Sequence, residues 1–178
     1  MRVGTGDPPA PGLALVAAVA LHQTASCFTS HPDGCEPPLR IKWPNDIMSP
    51  DGAKLGGILL ERAGDAVVIG FGMNLAHHPE GIGRAVTNLK AFSGATTDPS
   101  VFALRLAELF ADWLRRWREQ GLAPVRRAWL RAAHPLGTRL STPEGEGSYD
   151  GLDESGALRL RLLDGTLRVV HAGDVFLI

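Results

Sequence analysis

The chain has 178 residues, 44% of them hydrophobic, and a formal net charge of −1. Such a length and composition suit one medium domain with a small appendage, built on a substantial core. The near-zero charge excludes a whole-molecule attraction to nucleic acid or anionic membrane, and no apolar run reaches the roughly 18 residues that a spanning helix needs.

Residues 1–10 are rich in Gly, Asp and Pro and have no periodicity. Pro11 suits the first position of a helix. Leu13 to Leu21 is apolar on every side, so that helix is predicted to be buried on most faces. With Met1-Arg2 before it and Thr24-Ala25-Ser26-Cys27 after it, the stretch superficially imitates a secretory leader. Asp7-Pro8-Pro9 and Pro11 stand where a basic, flexible segment belongs, which argues against one. Cys27 and Cys35 are accordingly read as free thiols. The helix is expected to end before the loop Ser30-His31-Pro32-Asp33-Gly34.

Leu39 to Trp43 reads as a strand, Ser49-Pro50-Asp51-Gly52 carries type I turn residues, and Lys54 to Arg62 is the returning strand. Gly64-Asp65 turns the chain again, into Ala66 to Leu75. The unbroken apolar run there predicts a sheet covered on both faces. Residues 76–100 are loop-like apart from a short segment at Ala85 to Leu89. Pro99-Ser100 opens a long helix. In it Leu104, Leu106, Leu109, Phe110, Trp113, Leu114 and Trp117 recur near helical spacing, and Gly121 suits its C-cap. A second helix runs from Pro124 to about Ala133, with Val125, Trp129 and Leu130 inward. Trp113, Trp117 and Trp129 are read as core anchors, and Arg115, Arg116, Arg118, Arg126, Arg127 and Arg131 as a solvated helix face. His134-Pro135-Leu136-Gly137 marks a boundary. Beyond it Leu158, Leu160 and Leu162 alternate with Arg159 and Arg161, and Asp164-Gly165 signals a two-residue hairpin. Residues 136–178 are therefore predicted to form a small all-β barrel, docked on a larger unit at 1–134, because so few residues seldom fold alone.

One stretch carries unusual chemistry. Arg40-Ile41-Lys42-Trp43-Pro44-Asn45-Asp46 is followed by Lys54-Leu55-Gly56-Gly57-Ile58-Leu59-Leu60-Glu61. Lysines inside apolar strands call for a nearby anion, since burying an unpaired ammonium is costly. A Gly-Gly pair in a strand usually marks a close approach by a ligand or another backbone. Lysine suits phosphate or carboxylate oxygens, and a carboxylate such as Asp46 can orient an incoming amine. Spacing alone is also met by a plain surface hairpin with two solvated lysines and a capping aspartate. A regular hairpin closed by Ser49 and Gly52 puts Lys54 opposite Ile47, on the face away from Lys42 and Asp46. A bend at Pro44, which cannot continue a central ladder, or a bulge near the turn is required to bring the three together.

These motifs, with Gly70-Phe71-Gly72-Met73-Asn74 after them, closely resemble the central motifs of biotin protein ligases. The resemblance spans essentially the whole chain. It implies an α+β fold, a class II synthetase-like catalytic domain with a mixed β-sheet and packed helices, truncated at its N-terminal side, and a small C-terminal all-β barrel. It implies a cytoplasmic ligase that uses ATP and Mg2+ to convert biotin to biotinyl-5′-AMP, then biotinylates a lysine of a biotin carboxyl carrier protein, the acetyl-CoA carboxylase subunit. Carried over by motif, Lys42, Asp46 and Lys54 are catalytic and Lys54, Gly56, Gly57 and Ile58 bind biotin. Lys42, Asn45 and Asn74 bind ATP, and no protein-held metal is implied. Without its neighbours Asn74 is an ordinary strand-end asparagine. Gly70 and Gly72 lack the third glycine and helix of a dinucleotide fingerprint, so strand packing is their plainer reading.

The family also carries an upstream Gly/Arg-rich loop of the form G-R-G-R-x-G-R, which this sequence does not contain. Weak or no independent activity is therefore expected, together with exposed sheet edges that favour aggregation or a homodimer. No helix-turn-helix domain is expected, and hence no DNA partner. A non-catalytic module that docks a carrier domain or partner chain is one alternative. A lipoate ligase relative is another, although Trp43-Pro44-Asn45-Asp46 favours biotin.

Overall fold

The apolar run predicted to be buried all round forms α1, Gly12–Cys27, and eleven of its residues are buried. The computed structural model describes residues 1–29 and 39–178. The loop expected at Ser30–Gly34 and the thiol of Cys35 lie outside the described residues, while Cys27 is a free, exposed thiol.

One face of a four-stranded sheet packs against α1. Its strands are β1 (Arg40–Lys42), β2 (Asp46–Met48), β3 (Lys54–Ala63) and β4 (Ala66–Met73), hydrogen-bonded in that order. All its ladders are antiparallel. The mixed sheet implied by the resemblance would need parallel pairing, which among the described residues is confined to two isolated bridges, Ile41 with Ala133 and Lys54 with Val86. The strand read at Leu39–Trp43 is β1, and the bend expected at Pro44 is a full reversal at Trp43–Asn45 that starts a separate strand, β2.

The apolar run of β4 does not mean cover on both faces. Val68 is 59% exposed and Leu59, on the same outer face of β3, is 62% exposed. Gly70 and Gly72 fill the other outward positions, so a one-sided alternation looks continuous in sequence.

Residues 76–100 contain one short helix, α2 (Lys90–Ser93). Asp98 caps α3 (Pro99–Gln120), its carboxylate accepting from the amides of Ser100 and Val101 at 2.7 and 3.2 Å. Gly121, at φ 71°, separates α3 from α4 (Leu122–Ala132), which starts two residues ahead of the expected Pro124. Trp113, Trp117 and Trp129 are buried, as core anchors should be. Leu104 is not part of the stripe and is 65% exposed.

A second sheet holds β5 (Arg139–Thr142), β6 (Gly145–Leu152), β7 (Leu158–Leu162), β8 (Leu167–Val170) and β9 (Phe176–Leu177). Its antiparallel order is β8-β7-β6-β5-β9. That order is linear, with β8 and β9 at its two ends. The β7–β8 loop has three residues rather than two, since Leu162 pairs with Thr166 and Gly165 takes φ 87°. This sheet shares one core with the first. Leu140, Tyr149, Leu152, Leu158 and Leu160 lie in the same buried cluster as α1.

Candidate active site

Asp46 sits on the middle strand of the hairpin region, and a lysine reaches it from each neighbouring strand. Lys42 is its direct cross-strand partner on β1, with Nζ 3.3 Å from Oδ2. Lys54, from β3, pairs with Oδ1. The carboxylate is buried and both lysines are largely so. This is the convergence that a regular hairpin forbids, and two local shifts produce it. First, the β2–β3 loop closes on Ser49 and Ala53 rather than Ser49 and Gly52, with Gly52 at φ 82°. Met48 then faces Lys54, which brings Lys54 onto the face of Asp46. Second, a bulge between Ile47 and Met48 places Gly57, not Gly56, opposite Asp46.

The two glycines are needed for different reasons. A Cβ on Gly56 would stand 2.5 Å from the Gly72 carbonyl oxygen, so the adjacent strand's backbone excludes it. A Cβ on Gly57 would stand 3.0 Å from both Asp46 Oδ1 and Lys54 Nζ. The ion pair crosses directly over Gly57.

Two cavities flank this pair. The first, about 500 Å³, is lined by Lys54, Gly56, Gly57, Ile58 and Asn74, with Phe71 and Met73. The second, about 480 Å³, is lined by Lys42, Asn45, Asp46 and Lys54, with Asp174 and Phe176 from the C-terminal segment. Lys54 and Arg84 border both. Every residue singled out from the sequence therefore borders one cavity or the other, and Lys54 joins them.

Some of these side chains already have local partners. Asn45 donates its amide to the Ile58 carbonyl at 2.7 Å, locking β2 to β3. Asn74 donates to Thr87 O at 2.9 Å and so holds the Ala85–Leu89 segment beside the first cavity. In each case the side-chain oxygen is the atom left to meet a ligand. Lys42 also donates to the Val175 carbonyl at 2.9 Å, and Trp43 Nε1 donates to Gly156 O at 3.2 Å. The second sheet therefore grips the tip of the hairpin. Arg84, Asp174 and Phe176 were missed in the sequence. No motif marks them, and they reach the site through long-range packing.

Two family profiles match the chain: the Biotin/lipoate A/B protein ligase family over residues 6–74 and the Biotin protein ligase C terminal domain over residues 139–178. The biotin–[acetyl-CoA-carboxylase] ligase of Paracoccus denitrificans is 36% identical, covering 99% of this chain and 77% of its own length. The protein of the same name from Mycobacterium tuberculosis is 35% identical over 76% of this chain and 52% of its own length. Among solved structures, the biotin protein ligase from Aquifex aeolicus in complex with biotin and ATP superposes with a TM-score of 0.82. The identity there is 21%, over 97% of this chain and 74% of that one, a likeness of fold.

Proposed function

We propose, for a chain that belongs to the biotin–[acetyl-CoA-carboxylase] ligase family, that it activates biotin with ATP and passes the biotinyl group to a lysine of a carrier protein. The observation that carries this reading is the buried Lys42–Asp46–Lys54 cluster set between two cavities that share Lys54. In the first step an oxygen of the biotin carboxylate attacks the α-phosphorus of ATP, and the bond from that phosphorus to pyrophosphate breaks. Lys54 attracts first the carboxylate and then the adenylate phosphate, and Lys42 faces phosphate oxygens. Gly56, Gly57 and Ile58 form the biotin wall, and the side-chain oxygens of Asn45 and Asn74 meet the nucleotide. Such a transfer depends chiefly on positioning and on neutralising developing phosphate charge.

In the second step the carrier's lysine nitrogen attacks the acyl carbon, AMP leaves with the electrons of the broken C–O bond, and the amine sheds a proton. Asp46, bordering the second cavity, orients that amine. Mg2+ would accompany ATP on its phosphates, where it offsets their charge. The divisions 1–134 and 136–178 serve as catalytic and C-terminal units in this reading, and the free Cys27 thiol suits a cytoplasmic setting.

Pyrophosphate release with biotin and ATP, followed by transfer to a carrier domain, tests the proposal. Slow biotin-dependent release, in keeping with a sequence that lacks the Gly/Arg-rich loop, and its loss in Lys54→Ala are expected. Carrier binding without any release would support the non-catalytic module instead.

A further inference from the structure

Seven buried side-chain nitrogen or oxygen atoms have no hydrogen-bond partner among the described residues, and four of them belong to residues lining one cavity away from the hairpin. They are Arg126 Nε, Arg159 Nε, His134 Nε2 and the Tyr149 hydroxyl. The cavity, about 450 Å³, opens between α4 and the second sheet, and Arg40 and Arg131 complete its cationic wall. It shares no lining residue with either cavity of the hairpin. Each of these four atoms is itself closed to solvent, and unpaired buried polar atoms are rare, so four of them on residues around one space point to an acceptor that the lining shifts to meet.

The charge balance names the kind of acceptor. Four arginines line this space against one carboxylate, Asp150. That carboxylate is already engaged by Arg159 at 2.7 Å and by Arg161 at 3.3 Å. Arg126 and Arg131 lie in the helical run that reads from sequence as a solvated face, yet Arg126 is half-buried and donates to Leu152 O. Tyr149 is 5% exposed, and burial pushes its hydroxyl up out of the ordinary titration range, so it stays a donor.

We propose that this cavity is a binding site for a compact phosphate-type oxyanion carrying at least two negative charges. Guanidinium forks match phosphate oxygens two at a time, and a single carboxylate offers too few acceptors for the donors assembled. The occupant bridges α4, β1 and the second sheet. Arg40 precedes Lys42 by two residues on β1, and Ile41 between them bridges to Ala133. The site is independent of the ligase reading, since it uses none of the residues assigned to biotin or ATP and shares only the strand β1 with them.

Tyr149 is the chain's one tyrosine, so ring-13C tyrosine gives a single NMR reporter inside the cavity. Titration with inorganic pyrophosphate or orthophosphate is expected to move that signal saturably, and the tighter of the two identifies a diphosphate or a single phosphate as the ligand unit. Arg131→Gln, an exposed position, is expected to weaken binding ~10-fold, and Arg126→Gln to do the same. Lys54→Ala is expected to leave the affinity unchanged while abolishing pyrophosphate release. The proposal is overturned if neither anion moves the signal. It is also overturned if only polyglutamate does so, or if the response is lost in Lys54→Ala but intact in Arg131→Gln.

Discussion

Gly57 and Gly56 make the residue scale concrete. The atoms that crowd a Cβ at Gly57 are the ends of flexible side chains, whereas at Gly56 a neighbouring strand's backbone is in the way. Gly57→Ala is therefore expected to fold with little loss of stability and to displace the Lys54–Asp46 pair by tenths of an ångström. A fall of roughly 10-fold or more in biotinyl transfer should follow, because positioning errors of that order are expensive in group transfer. Gly56→Ala is expected to cost about 1–3 kcal/mol, since backbone must shift to accept it. Urea unfolding and a transfer assay on both variants separate the two effects, and equal stability losses would contradict the assignment. Lys42, Asp46 and Lys54 were legible in sequence because charge in an apolar strand demands a partner. Arg84 and Tyr149 were not, since what distinguishes them is supplied by residues distant in the chain.

At the scale of elements, the helices were readable because their signals are local: an apolar run for α1, Asp98 and Pro99 at the start of α3, Gly121 at its end. Asp98→Ala is expected to cost about 1 kcal/mol by orphaning the Ser100 and Val101 amides, measurable as a lower urea midpoint. Sheet register was harder. Both hairpins whose turns were read as two-residue closures have a three-residue loop ending in a positive-φ glycine, Gly52 or Gly165, and each such step exchanges the faces of a strand. The need for a bend or bulge could be deduced, but not that both would occur. The outward side of β4 misled because glycine counts as neither apolar nor polar, so Gly70 and Gly72 left Val68 looking like part of a buried run. Trp43→Phe probes how the elements join. It removes the bond to Gly156 O and is expected to cost about 1 kcal/mol, with faster amide exchange in β6 and β7 than in β3. Uniform acceleration would mean that the bond does not anchor the second sheet.

Across the whole molecule, the two sheets meet at a junction where charge is concentrated, and His134 lies in it. Burial, and then the charges of Arg40 and Lys42, lower its pKa from the ordinary 6.5. The folded state thus resists a proton that the unfolded chain accepts freely. Between the two pKa values the unfolded state binds more protons, so stability rises with pH there. The contribution of His134 is complete above about pH 6.5 and is lost as pH falls from there towards the folded value. His134→Asn should remove this dependence. Melting temperatures of the two proteins, compared from pH 7.5 to pH 5, are expected to diverge, with the wild type losing more on acidification. Parallel curves would mean that a proton on His134 is accommodated at the junction without cost, and that the cationic surroundings of Arg40 and Lys42 do not reach it.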